Sequence, residues 1–188
     1  MSPFARIRNN RTRYAIALLA LTLVALGVAR TARHDRGRAA AAPPLVTRVV
    51  ADATVETPAA WRALARTREH ATWGDSARRH TVTLAAIDAS EDSLASIVRD
   101  LAAQAANLAP GARVVGALES RDVKRGARGD SALLLRLEIP RGDGRVVRVV
   151  QAWRRDTRAA RDIVATWTST DGSWPADPGQ LLPGSRLR

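Results

Sequence analysis

The chain has 188 residues, 30 of them Lys or Arg against 18 Asp or Glu, and it contains no cysteine. That absence excludes disulfides, thiolate metal sites and a cysteine nucleophile. The formal charge of +12 suggests nucleic acid only until its distribution is read.

Residues 1–38 hold eight arginines and one acid, while the remaining 150 residues carry 22 basic and 17 acidic side chains. Lys124 is the sole lysine, no basic stripe is evident and the five tryptophans are scattered. A nucleic-acid surface clusters its charge and interleaves aromatics, so nucleic acid is not expected as a partner.

Residues 1–13 form a short basic tail bearing Arg6, Arg8, Arg11 and Arg13. Residues 14–29, YAIALLALTLVALGVA, carry no charge, and Arg30, Arg33, Arg36 and Arg38 follow. An apolar run with cationic flanks reads as an uncleaved transmembrane helix or as a secretory signal peptide. Sixteen residues in a helix span roughly 24 Å against a ~30 Å hydrocarbon core, a shortfall that snorkelling arginines and bilayer thinning can absorb. The arginines behind the run disfavour cleavage, so the anchor is the preferred reading. The acid-free tail is assigned to the cytoplasm and the C-terminal part to the periplasm.

Residues 30–46 are rich in Arg, Ala and Pro and read as a linker. Residues 47–80 are expected to be a helical stalk, entered through Thr57 as N-cap and Pro58 at the first helical position. It packs on a partner helix or lies on its own domain. Residues 80–87 alternate as a half-buried strand, with continuation of the helix as the alternative. Ser90 caps a helix with Glu91 and Asp92 in its first turn, and Leu94, Ile97, Val98, Leu101, Ala105 and Leu108 make its apolar stripe. Pro110 and Gly111 stop it.

Residues 113–120 and 131–139 are expected to pair as an antiparallel hairpin across the loop 121–130. Leu133, Leu135, Leu137 and Ile139 face one way. Residues 145–157 read as a second helix on the spacing of Val146, Val149, Val150 and Trp153, although four valines leave a strand open. A last strand covers 162–168, and residues 171–188 form an irregular tail.

The order strand, helix, strand, strand, helix, strand is that of an α+β, ferredoxin-like domain over residues 81–170. Two helices would cover one face of its antiparallel sheet, leaving the other face open. A basic tail, one membrane helix, a stalk and such a domain resemble the M component of type II secretion systems. The inner-membrane alignment protein of type IV pili has the same plan. The local likeness runs from Ser93 to Ser169, through GARVV, LLLRLEI and a helix ending at Trp153.

The resemblance implies a non-enzymatic inner-membrane platform component of a secretion or pilus system. It would form a homodimer or heterodimer through ferredoxin-like subunits and contact the lipid bilayer. The alternative is an exported periplasmic protein, its signal cleaved, binding a small ligand or partner on the open sheet.

No catalytic, cofactor-binding or metal residues are assigned, and no cofactor is expected. His34, His70 and His80 lack metal-ligand spacing. Glu91 and Asp92 point apart and suit the helix dipole. Arg141-Gly142-Asp143 spells an adhesion tripeptide, but turn geometry accounts for it. Arg154, Arg155, Arg158 and Arg161 could meet a phosphate or acidic partner. Trp73 and Trp174 are the candidate exposed interface anchors.

Overall fold

The computed structural model describes residues 43–122, 131–174 and 184–185. Five strands come first: β1 (Leu45–Val50), β2 (Ala53–Pro58), β3 (Arg62–Arg66), β4 (His70–Gly74) and β5 (His80–Asp88). Helix α1 (Leu94–Leu108) follows, then β6 (Arg113–Val114), β7 (Glu119–Asp122), β8 (Ser131–Pro140), β9 (Val146–Asp156), β10 (Arg161–Ser169) and β11 (Gly184–Ser185). The large sheet runs β3-β4-β5-β10-β9-β8-β6, with β7 also on β8, and all its pairings are antiparallel.

Strand parity sorts two cores. Leu133, Leu135, Trp153 and Val164 project towards α1, where Ile97, Val98 and Leu101 meet them. Residues one step along, Leu134, Val150, Ala152, Ala165, Val82 and Leu84, project to the other face. There the β1–β2 hairpin lays down Val50, Ala53 and Val55. The molecule is thus three layers: helix, eight-stranded sheet and hairpin.

Helix α1 starts at Ser93, whose hydroxyl accepts from the Ser96 amide at 3.2 Å. It ends before Gly111, which has φ +78° and lies against Pro140, whose Cγ would sit 2.7 Å from an added Cβ. Glycine is required there both by the left-handed conformation and by the close approach. Where the helix does not lie, the same sheet face carries Thr72, Thr83, Thr166 and Gln151 in register, and all four are buried. The Thr72 and Thr83 hydroxyls are 2.8 Å apart.

Several expectations are corrected. The helix α1, the strands over 80–87, 131–139 and 162–168, and the pairing of 113–120 with 131–139 are present, the last as two short strands, β6 and β7, on β8. The ferredoxin-like fold is not. Residues 145–157 form β9, a central strand buried on both faces, so its apolar residues show no period-2 alternation and mimic helical spacing. Four β-branched valines suit that strand better than a helix.

The stalk over 47–80 is likewise replaced, by β1 to β4. Thr57 caps no helix: it is a fully buried residue of β2 whose hydroxyl accepts from Arg48 Nε at 3.1 Å. The open sheet face required by the alternative reading is covered by the β1–β2 hairpin. The inner-membrane placement is withdrawn too. Among the described residues no helix is long and apolar enough to cross a membrane, and the apolar run 14–29, like the tail and most of the linker, lies outside the described residues.

Candidate functional site

Antiparallel register places one polar row across five neighbouring strands. Arg113 of β6 is opposite Glu138 of β8, Glu138 opposite Arg148 of β9, Arg148 opposite Ser169 of β10, and Ser169 opposite His80 of β5. The row lies on the hairpin face, one step beyond the core residues Val150, Trp167 and Val82, near the end of the sheet.

Glu138 sits between two guanidiniums. Arg113 donates from NH2 at 2.5 Å and from Nε at 3.0 Å to Oε2, and Arg148 Nε donates to Oε1 at 3.1 Å. The hydrogen bond from Arg113 holds the Glu138 carboxyl below the usual glutamate range, against the opposing effect of burial, and Arg148 adds to it. Arg148 also donates to the Gly172 carbonyl and stacks over the Trp174 ring at 5.1 Å. The loop after β10 is therefore tied to the row by one arginine.

Asp171 closes the other end. Its Oδ1 accepts from Ser169 Oγ at 2.5 Å, Ser173 Oγ at 2.7 Å and the Ser173 amide at 2.9 Å, while Oδ2 meets His80 Nε2 at 2.9 Å. Partial burial would raise the Asp171 pKa, but the hydrogen bonds from Ser169 and Ser173 and the facing His80 outweigh it and hold it at about 2. The His80 ring lies 5.8 Å from that of Trp167, tilted by 31°.

Serine, histidine and aspartate are thus brought together in the wrong order for nucleophilic catalysis. An activated serine needs the imidazole between hydroxyl and carboxylate. Here the carboxylate takes both hydroxyls and the imidazole. Glu138, saturated by two arginines and held ionised, is a poor proton donor at neutral pH. Among the described residues no three His, Asp or Glu side chains are grouped to hold a metal. What the row offers is recognition chemistry: guanidinium, imidazole and indole groups held in place by carboxylates.

Residues singled out from sequence fall variously. His80 belongs to the row, His70 contacts Thr67 Oγ1 at 3.0 Å in the β3–β4 turn, and His34 lies outside the described residues. Trp73 is buried in the core, whereas Trp174 is half-buried beside Arg148. The arginines from 154 to 161 do not form one patch. Arg154 is buried, Arg155 makes bonds of 2.7 and 2.9 Å to the fully buried Asp162, and Arg161 lies near Asp88.

Glu91 and Asp92 precede the Ser93 cap, so neither occupies the first helical turn. Arg141-Gly142-Asp143 forms the β8–β9 turn, with Asp143 Oδ1 accepting from the Arg145 amide at 3.1 Å. The Glu138–Arg148 contact escaped notice because it becomes visible only once residues 145–157 are read as a strand, and Asp171 escaped notice because it lies in a loop beyond the last strand of the large sheet.

No protein-family model matches the chain, and no curated protein does. Solved structures are similar at low identity. A putative regulator of unknown function from Pseudomonas aeruginosa is 19% identical, with 71% of this chain and 85% of that one covered and a TM-score of 0.44. The Saccharomyces cerevisiae Ran-binding protein Mog1p gives 13% identity, coverage of 68% and 78%, and a TM-score of 0.46. LpqN of Mycobacterium tuberculosis, involved in cell envelope biogenesis, gives 17%, 62%, 69% and 0.41. Likenesses of this strength assign no function. With the ferredoxin-like fold and the helical stalk replaced by strands, the expected kinship to type II secretion or pilus proteins is withdrawn.

Proposed function

We propose that the chain is a non-enzymatic module that binds another protein through the polar row and the tryptophans beside it. One observation carries the reading. Trp61 and Trp174 stand half-buried against the core at the margin of the hairpin face, and Arg148 is locked over the second of them. Tryptophan and arginine are the residue types that dominate binding hot spots, and a pre-positioned pair loses little entropy on docking. The exposed sheet edge is a poorer candidate. Strand β3 carries a register shift between Ala63 and Ala65 and exposes Arg62 and Arg66, devices that discourage an added strand.

Photo-crosslinking in the cells that make the protein tests this. A photoreactive residue at Gly142, exposed and with open space around its Cβ position, sits at the same end of the sheet as the row. The same residue at Ala159, in the β9–β10 turn at the opposite end, is the control. Discrete protein adducts from position 142, lost when Trp174→Ala is added, are expected. Adducts from 159 alone, or from neither position, refute the reading, and an adduct of twice the chain mass identifies the partner as a second copy.

A further inference from the structure

We infer that the partner presents an acidic segment to the end of the sheet where the polar row emerges. The inference rests on the protein-binding reading and specifies its partner. Antiparallel topology collects at this end the start of β3, the β4–β5 and β8–β9 turns, the start of β6 and the loop after β10. Arg62, Arg78, Arg113 and Arg145 are exposed there, and Arg79, Arg141 and Arg148 are half-buried.

Among the described residues of the large sheet and its turns, four carboxylates share the same end, and each is already committed within the chain. Asp75 accepts from the Arg79 amide at 2.8 Å, and Asp143 accepts from the Arg145 amide. Glu138 is held by Arg113 and Arg148, and Asp171 by His80 and two serines. These acids orient turns and side chains while leaving an excess of guanidinium charge towards solvent.

Among the described residues the turns at the opposite end carry no such excess: Arg66, Arg68, Arg158 and Arg161 stand there with Glu69, Asp88, Glu91, Asp92 and Asp156. The described residues are therefore polarised in charge along the strands, and a polarised surface steers and registers an oppositely charged partner.

The mixture of signs favours protein over nucleic acid. Asp75 and Asp143 stand on the same turns as the arginines and would repel an uninterrupted phosphate backbone. Two of the aromatic groups are not free stacking platforms: the Trp174 ring carries Arg148, and Trp167 is buried. Carboxylates on a folded or extended protein segment can instead take arginines singly and in bidentate fashion.

The test uses the full chain and a fluorescein-labelled oligo-glutamate, read by anisotropy at low and moderate salt. The triple variant R62E/R78E/R145E changes only exposed arginines outside the row's ion pairs. R66E/R68E/R158E matches it in charge at the opposite end, and the arginines of residues 1–38 are common to all three proteins. Affinity is expected to fall at least about tenfold in the first triple and to change by no more than about twofold in the second. An oligothymidylate of equal charge is expected to bind the unmodified chain more weakly than oligo-glutamate.

Equal losses in both triples, with thermal midpoints unchanged, overturn the inference by reducing it to net charge. Tighter oligothymidylate binding, lost in the first triple, overturns it in favour of nucleic acid. Failure here while position 142 still forms protein adducts removes the acidic partner and keeps the protein-binding reading. Absence of adducts removes both.

Discussion

Thr72 and Thr83 show how narrowly single side chains are matched in this interior. Their hydroxyls satisfy each other at 2.8 Å in a place where both residues are buried. Thr83→Val leaves the Thr72 hydroxyl without that partner and is expected to cost about 1–3 kcal/mol in urea unfolding, whereas the paired change to two valines is expected to cost much less. A single change as mild as the double would contradict the pairing.

The carboxylates of the polar row give a pH signature. Glu138 and Asp171 both titrate lower in the folded chain than their ordinary values of 4.5 and 3.8, the second at about 2. Because each folded value lies below the unfolded one, their contribution is complete above the ordinary values. It is lost as pH falls, for Asp171 down through about 2. The urea midpoint of the unmodified chain should therefore fall between pH 4 and pH 2 more steeply than that of Asp171→Asn. Parallel curves would show that Asp171 is not held as described. The row as a whole was not legible at the residue scale, since members such as Arg148 and Ser169 are 21 positions apart and meet only through strand register.

At the scale of elements, Arg155 joins the loop before α1 to the sheet. It grips the fully buried Asp162 of β10 through two bonds and donates from NH1 to the Asp92 carbonyl at 2.8 Å. Removing one partner of a buried pair strands the other, so Asp162→Ala should cost about 3–5 kcal/mol and loosen the start of α1. Fast amide exchange over residues 94–98 in that variant is the expected sign, and a stability loss below about 1 kcal/mol would contradict the clamp.

The elements legible in the sequence were those with alternating apolar and polar residues or a clear stop. Strand β8 alternates because one of its faces is leucine-rich while the other carries Arg136 and Glu138, and α1 has its stripe and its proline-glycine stop. Strand β9 was misread because a strand buried on both faces has no alternation to show, and its valines and Trp153 happen to fall at helical intervals. The stretch 59–80 misled differently. Alanine and arginine are good helix formers, and tertiary pairing of β3 with β4 and of β4 with β5 overrides that preference.

At the scale of the whole molecule, α1 packs on one side of the central sheet and the β1–β2 hairpin on the other. The proposed function sits at the ends of the strands, where the described residues differ in charge. Composition alone hid this, because strand topology rather than sequence order brings Arg62, Arg78, Arg113 and Arg145 to one end.

Amide hydrogen exchange tests the central claim most directly, on the full chain alone and in complex with the protein crosslinked through position 142. The account predicts new protection over residues 75–79, 141–145 and 170–174, the turns that frame the polar row. Protection confined to residues 66–69 and 157–160 at the opposite end, or to the exposed strand β3, would contradict it.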